Sequence, residues 1–139
     1  MNLFINSPAY YSQFYGADSD IYQMCRLLEK NIDIKEYTDS LDSIGITPII
    51  APQKEIDDGK YKELKLISKA YRYASISLHI DFLKYKCSSV DQKKRMILGN
   101  VLCSLLLVKK KIGTAFNYEK IESDILSLFN MKFDELVDF

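Results

Sequence analysis

The stretch YASISLHIDF, Tyr73 to Phe82, decides how this chain is read. Ala74, Ile76, Leu78, Ile80 and Phe82 alternate with Tyr73, Ser75, Ser77, His79 and Asp81. A period of two marks a β-strand with one face in a core and the other turned outward. Just upstream, KELKLISKA alternates as well, setting Leu64, Leu66 and Ser68 against Glu63, Lys65, Ile67 and Lys69. Two such runs, separated by residues 69–72, predict an antiparallel hairpin, long or bulged. Its apolar face must meet helices, and its polar face is expected to be wet.

Moving outward, LFI at Leu3–Ile5 is a short first strand ended by Asn-Ser-Pro. Ile21, Met24, Cys25, Leu28 and Ile32 form one helical face, with Asp20 and Gln23 imitating a capping box. Ile34, Tyr37, Leu41 and Ile44 repeat the spacing, so the region around Asp33 is one bent helix or two, with Gly45 placed to stop it. ITPIIAP, Ile46 to Pro52, is β-rich, but Pro48 predicts an edge strand or one that starts at the proline. Downstream, Ser89 and Gln92 form a capping box before a helix through Ile97, Val101, Leu105, Val108 and Ile112. Gly99 inside that helix predicts close packing, because glycine there costs about 1 kcal/mol against alanine. Asn117 caps a last helix carrying Ile121, Ile125, Leu128 and Phe129. The expected fold is a single α+β domain over residues 1–139. Its antiparallel sheet of about four strands is packed on one face by helices.

Composition narrows the function classes. Nineteen basic and nineteen acidic side chains give a formal net charge of zero. A general nucleic-acid binder needs surplus Lys and Arg to displace counterions, and an anionic membrane surface needs the same surplus. The partner is therefore expected to be neither nucleic acid nor membrane. The longest apolar stretch, Ile97 to Val108, falls short of the roughly 20 residues that span a bilayer. The N-terminus lacks the pattern of a secretory signal. Cys25, Cys87 and Cys103 form no C-x-x-C and no zinc spacing, so reduced thiols in a cytoplasmic protein are expected. No glycine-rich phosphate loop is present, and no cofactor is expected.

His79 is the only histidine. With Asp81 two residues on, it shares one strand face, and such a pair can orient a general base or a metal ligand. A hydrolase would also need an activated nucleophile, and neither Ser75 nor Ser77 sits in a strained elbow. A polar strand face or a binding surface accounts for both residues better. The Lys93-Lys94-Arg95 and Lys109-Lys110-Lys111 clusters lie about 22 Å apart along one helix, so they make solubilising ends and not a stripe. Ten tyrosines without tryptophan are a stronger signal. Tyr10, Tyr11 and Tyr15 cluster in one loop, and Tyr71, Tyr73 and Tyr85 are expected to edge the polar sheet face. Tyrosine is enriched at protein interfaces because it combines a large area with a polar tip.

The order LFINS, helix, ITPIIAP, acidic loop, KYKELKLISKAYRYASISLHIDFLKY, SSVDQKKRMILGNVLCSLLLVKK and FNYEKIESDIL resembles a family of bacterial immunity proteins. These are encoded beside polymorphic or contact-dependent toxins, and ASISLHIDF matches the strand core associated with them. The resemblance spans about Leu3 to Phe129. It implies a non-enzymatic, cytoplasmic protein that binds and neutralises the C-terminal domain of a cognate toxin. Tyr11, Tyr15, Tyr71, Tyr73, His79, Asp57, Asp58 and Asp81 are then the candidate contacts. For a basic nuclease partner, Asp18 and Asp20 join the acidic ones. The readings left beside it are a small regulatory or ligand-binding domain and a small hydrolase using His79 and Asp81.

Overall fold

The computed structural model describes residues 3–5, 9–10, 19–57, 64–68 and 72–136. Strand β1 (Leu3–Ile5) begins the chain's fold, followed by the two-residue strand β2 (Ala9–Tyr10) and helix α1 (Ser19–Asn31). Strand β3 (Ser43–Ala51), helix α2 (Gln53–Asp57), strand β4 (Leu64–Ser68) and strand β5 (Tyr73–Asp81) come next. Helices α3 (Phe82–Lys86), α4 (Val90–Ile112) and α5 (Tyr118–Leu128) close it. One helix has its sequence signature realised in full: Ser89 Oγ accepts from Gln92 N at 3.2 Å while Ser89 N donates to Gln92 Oε1 at 3.1 Å. Asn117 Oδ1 likewise caps α5, accepting from Lys120 N at 3.2 Å.

The antiparallel sheet expected from the sequence does not form. The order is β1-β3-β5-β4, and β1, β3 and β5 all run parallel. β2 also pairs with β3 in parallel, through Ala9↔Ile49 and Tyr10↔Ile50. Antiparallel pairing is confined to the hairpin, where Leu64–Ser68 meets Tyr73–Ser77. The physical reason lies in the connections. A helix between two strands carries the chain back to the end where it started, so the next strand runs parallel. Residues 52–72 give the second crossover its length, with α2 and β4 inside it.

β3 is an interior strand, not the edge that Pro48 suggested. On one side it pairs with β1 at Ile44–Ile46 and with β2 at Ile49–Ile50. Pro48 falls in the gap between those two short partners, where a missing N–H is tolerated. Interior strands of a parallel sheet read as nearly continuous apolar runs. That is the pattern of SIGITPIIA, in which Ile44, Gly45, Ile46, Pro48, Ile50 and Ala51 are buried.

The core lies between the sheet and the helices. Leu3, Ile5, Ile44, Ile46, Ile50, Ala74 and Ile76 meet Ile21, Met24 and Leu28 of α1, Ile97, Val101 and Leu105 of α4, and Ile121 and Ile125 of α5. Each buried Leu or Ile contributes about 1.5–3 kcal/mol. Leu78, Ile80 and Phe82 pack on the rim of this cluster, so the apolar face of YASISLHIDF points where its alternation said it would. Asn100 of α4 is buried and donates to the Leu78 carbonyl at 3.0 Å, pinning the helix to β5.

Three local readings need correction. The second periodic set is neither a continuation of α1 nor a second α-helix: Ile34–Glu36 is a single 3-10 turn, capped by Asp33, whose side chain accepts from Lys35 N. Ile34, Tyr37, Leu41 and Ile44 are nevertheless all buried. Gly45 stops no helix and sits inside β3. Gly99 has no close neighbour on the side where a Cβ would project.

Candidate functional site

The face of the sheet opposite the helix-packed one is assembled from the other residue parity of each strand. Register places Phe4, Gly45 and Ser75 in one row, and Ser43 beside Tyr73 in the row before it. Thr47 with Ser77, Ile49 with His79 and Ala51 with Asp81 follow in turn. The face is not the wet surface the alternation suggested. Ser77 is only 8% exposed, and Tyr73, Ser75, His79, Asp81, Thr47 and Ile49 are half-buried. Phe4, at 42% exposure, is the large apolar side chain that stands out of it.

Tyr73 is held in place at one end. A Cβ built on Gly45 would collide with the Tyr73 hydroxyl, so the ring lies across the strand over the one residue that leaves room for it. Arg72, immediately before, has φ 52, an uncommon conformation for a residue with a Cβ. Its carbonyl accepts from Asp42 N at 2.7 Å, and its Nε lies 3.2 Å from Asp42 Oδ2. The Lys35 ammonium takes the other carboxylate oxygen, and the Arg72 guanidinium also reaches the Asp39 carbonyl. The Lys35 hydrogen bond, then the Arg72 guanidinium, hold the Asp42 carboxyl below the usual range although the group is exposed.

His79 and Asp81 occupy the far end, about 20 Å and about 26 Å along the strand from Tyr73 at roughly 3.3 Å per residue. Asp81 Oδ2 accepts from Lys84 N at 3.0 Å and is the N-cap of α3. Its carboxylate is thus committed to helix initiation. Asp57 is exposed at the end of α2, where it accepts from Gln53 Nε2 at 2.9 Å. Among the described residues, no group of three or more His, Cys, Asp or Glu is arranged to hold a metal ion. Tyr11, Tyr15, Tyr71, Asp58 and Asp18 lie outside the described residues. Asp20 is exposed in the first turn of α1.

Tyr85 does not edge the sheet: it is buried in the core, with the Lys93 ammonium 5.2 Å from its ring centre. Two further basic side chains of α4 make structural contacts. Arg95 bridges to Asp91 at 3.1 Å, and Lys109 donates to the Phe116 carbonyl at 2.8 Å. Sequence reasoning passed over Phe4 and Ile49. Phe4 is flanked by core residues in a three-residue strand, and only the observed register reveals that it faces the other way.

The two outer edges of the sheet are finished differently. At β1, Glu29 of α1 accepts from Ile5 N at 2.7 Å, and Arg26 donates to the Ile5 carbonyl. Arg26 and Glu29 are themselves paired at 2.9 Å, and the guanidinium stacks on Tyr22 at 4.9 Å from the ring centre. A charged clasp of this kind satisfies edge groups that would otherwise pair with another chain. At the other edge, β4 pairs only with β5 among the described residues.

Among the described residues, no helix is long and apolar enough to cross a membrane. Residues 1–131 match the sequence model of the family described as immunity protein 44. No curated protein and no solved structure matches the chain.

Proposed function

The chain belongs to the immunity protein 44 family, and from that premise we propose that it neutralises a partner toxin domain by binding it. The match over residues 1–131 carries this reading. The reading is non-enzymatic and cytoplasmic: the protein acts by occupying the toxin's surface inside the cell that makes both. The sheet face opposite the helices is the contact surface. Phe4 and Tyr73 are its aromatic anchors, His79 extends it, and Asp57 and Asp81 supply negative charge at the far end. The span from Tyr73 to His79 suits the roughly 800 Å² that each partner of a standard interface contributes. Tyr73 arrives preorganised over Gly45, which lowers the cost of ordering it on binding.

The test is co-expression with the C-terminal domain of the toxin encoded beside this chain. Growth should be restored, and the two proteins should co-purify as a stable complex. Continued toxicity with a soluble, folded chain and no complex would sink the reading.

A further inference from the structure

We infer that Gly45 is a positioning residue for partner binding, acting on the toxin domain through the Tyr73 ring that it seats. This rests on the immunity reading and names what fixes the geometry of one of its anchors. The first observation is the glycine itself. Gly45 is buried within β3, an interior strand, where a glycine weakens the strand because it has no side chain to pack. Its backbone does not demand a glycine either: the positive φ that glycine accepts easily is found at Gly113, not at Gly45. The three nearest neighbours of a Cβ at position 45 would all belong to one residue, the hydroxyl, Cζ at 3.2 Å and Cε2 at 3.6 Å of Tyr73. The space left by the missing side chain is thus taken by the Tyr73 ring.

The second observation is where that ring goes. Gly45 is the register partner of Phe4, so the hydroxyl end of Tyr73 is delivered from β5 into the row of the other aromatic anchor. Both residues belong to the set turned away from the helices, so the glycine serves that face and not the core. The third observation is what can give way. Nine register pairs, Ser43↔Tyr73 to Ala51↔Asp81, tie β3 to β5, and the Arg72 carbonyl accepts from Asp42 N at 2.7 Å. With the backbone held, a methyl at position 45 is relieved by the ring, whose hydroxyl end swings off the strand into another rotamer. The displaced ring must then be ordered again on binding, which weakens association.

A double-mutant cycle on the intact chain tests this, read as affinity for the toxin's C-terminal domain and as unfolding temperature. Gly45→Ala should weaken binding about tenfold or more, with an unfolding temperature within about 5 °C of the unmodified chain. In a Tyr73→Ala background the same change should move affinity by less than about twofold, because no ring is left to displace. In a Tyr73→Phe background, which lacks the atom nearest the added methyl, the loss should be intermediate. An equal loss with and without the ring would mean that the methyl itself obstructs the partner, and overturns the inference. Full affinity in Gly45→Ala or in Tyr73→Ala overturns it as well, and so does a Gly45→Ala chain that no longer folds, since the glycine then serves the fold. Each of these leaves the immunity reading standing. Failure of the unmodified chain to bind the toxin at all overturns both.

Discussion

On the helix side of the sheet, Ile44, Ile46 and Ile76 are sealed under α1, α4 and α5. On the other side the same three strands carry Phe4, Thr47, Ser77 and His79, a mixed set of apolar and polar side chains. Each strand therefore serves two masters by alternation, and a shift of one residue would exchange their tasks. The contrast teaches where to look for a binding surface, on the parity of residues that the core does not claim. Stability is concentrated on one parity of residues, which leaves the other parity less constrained by the core.

The sharpest way to break that contrast is truncation on each side. Ile46→Ala and Ile76→Ala should each cost about 2–5 kcal/mol in denaturant unfolding, because a cavity is left in a packed core. Phe4→Ala, at the exposed side chain of the other face, should change stability by no more than about 0.5–1 kcal/mol, as surface substitutions do. Equal losses on both sides would erase the distinction. Next in size is the clasp on β1: Glu29→Ala should cost about 1.5–3 kcal/mol, the range for a hydrogen bond to a charged group. Glu29 is only 11% exposed on its side chain, and its loss leaves both Ile5 N and the Arg26 guanidinium short of a partner. Gly99→Ala should act in the opposite direction, stabilising by about 1 kcal/mol, since a Cβ there meets open space.

The pH dependence sharpens the picture of the helix side. Burial first, and then the hydrogen bond to Asp124 at 2.6 Å, push the Tyr37 phenol above its ordinary value near 10. Burial and the Glu122 carboxylate do the same to Tyr118. A phenol whose folded value is raised contributes stability that is intact below about pH 10 and is lost as pH climbs beyond it. Alkaline titration should therefore unfold the protein, and Tyr37→Phe should flatten that dependence. A Tyr37→Phe protein with an unaltered alkaline limb would contradict the assignment. The smallest effect is a chemical one. Burial pushes the Cys25 thiol up to about 11, whereas Cys87 and Cys103 are exposed. Alkylation at neutral pH should label the latter two and leave Cys25 unmodified until the protein unfolds.

The strand parity was legible in the sequence because YASISLHIDF alternates without interruption and its apolar set reaches the core as expected. The caps at Ser89 and Asn117 were legible too, since their partners are three residues away. Strand direction was not read correctly. The β1–α1–β3 order already implies a parallel pair, but the hairpin's local signal is stronger than that of a crossover. Tyr37 and Leu41 show the same limit: their spacing marked burial correctly, while a 3-10 turn and a loop, not a helix, deliver them to the core. Tyr85 was misplaced because Phe82 opens α3 instead of extending β5, which turns the side chain inward. The position of Phe4 and the clasp on Ile5 depend on which strands become neighbours, and no local pattern encodes that.

The central claim is that partner binding lives on the face turned away from the helices. It is tested most directly by measuring the affinity of a Phe4→Ala protein for the toxin's C-terminal domain, alongside its unfolding temperature. Affinity should fall by about 2 kcal/mol or more, the scale of an interface hot spot, with an unfolding temperature close to that of the unmodified chain. Full affinity in a protein so altered would contradict it.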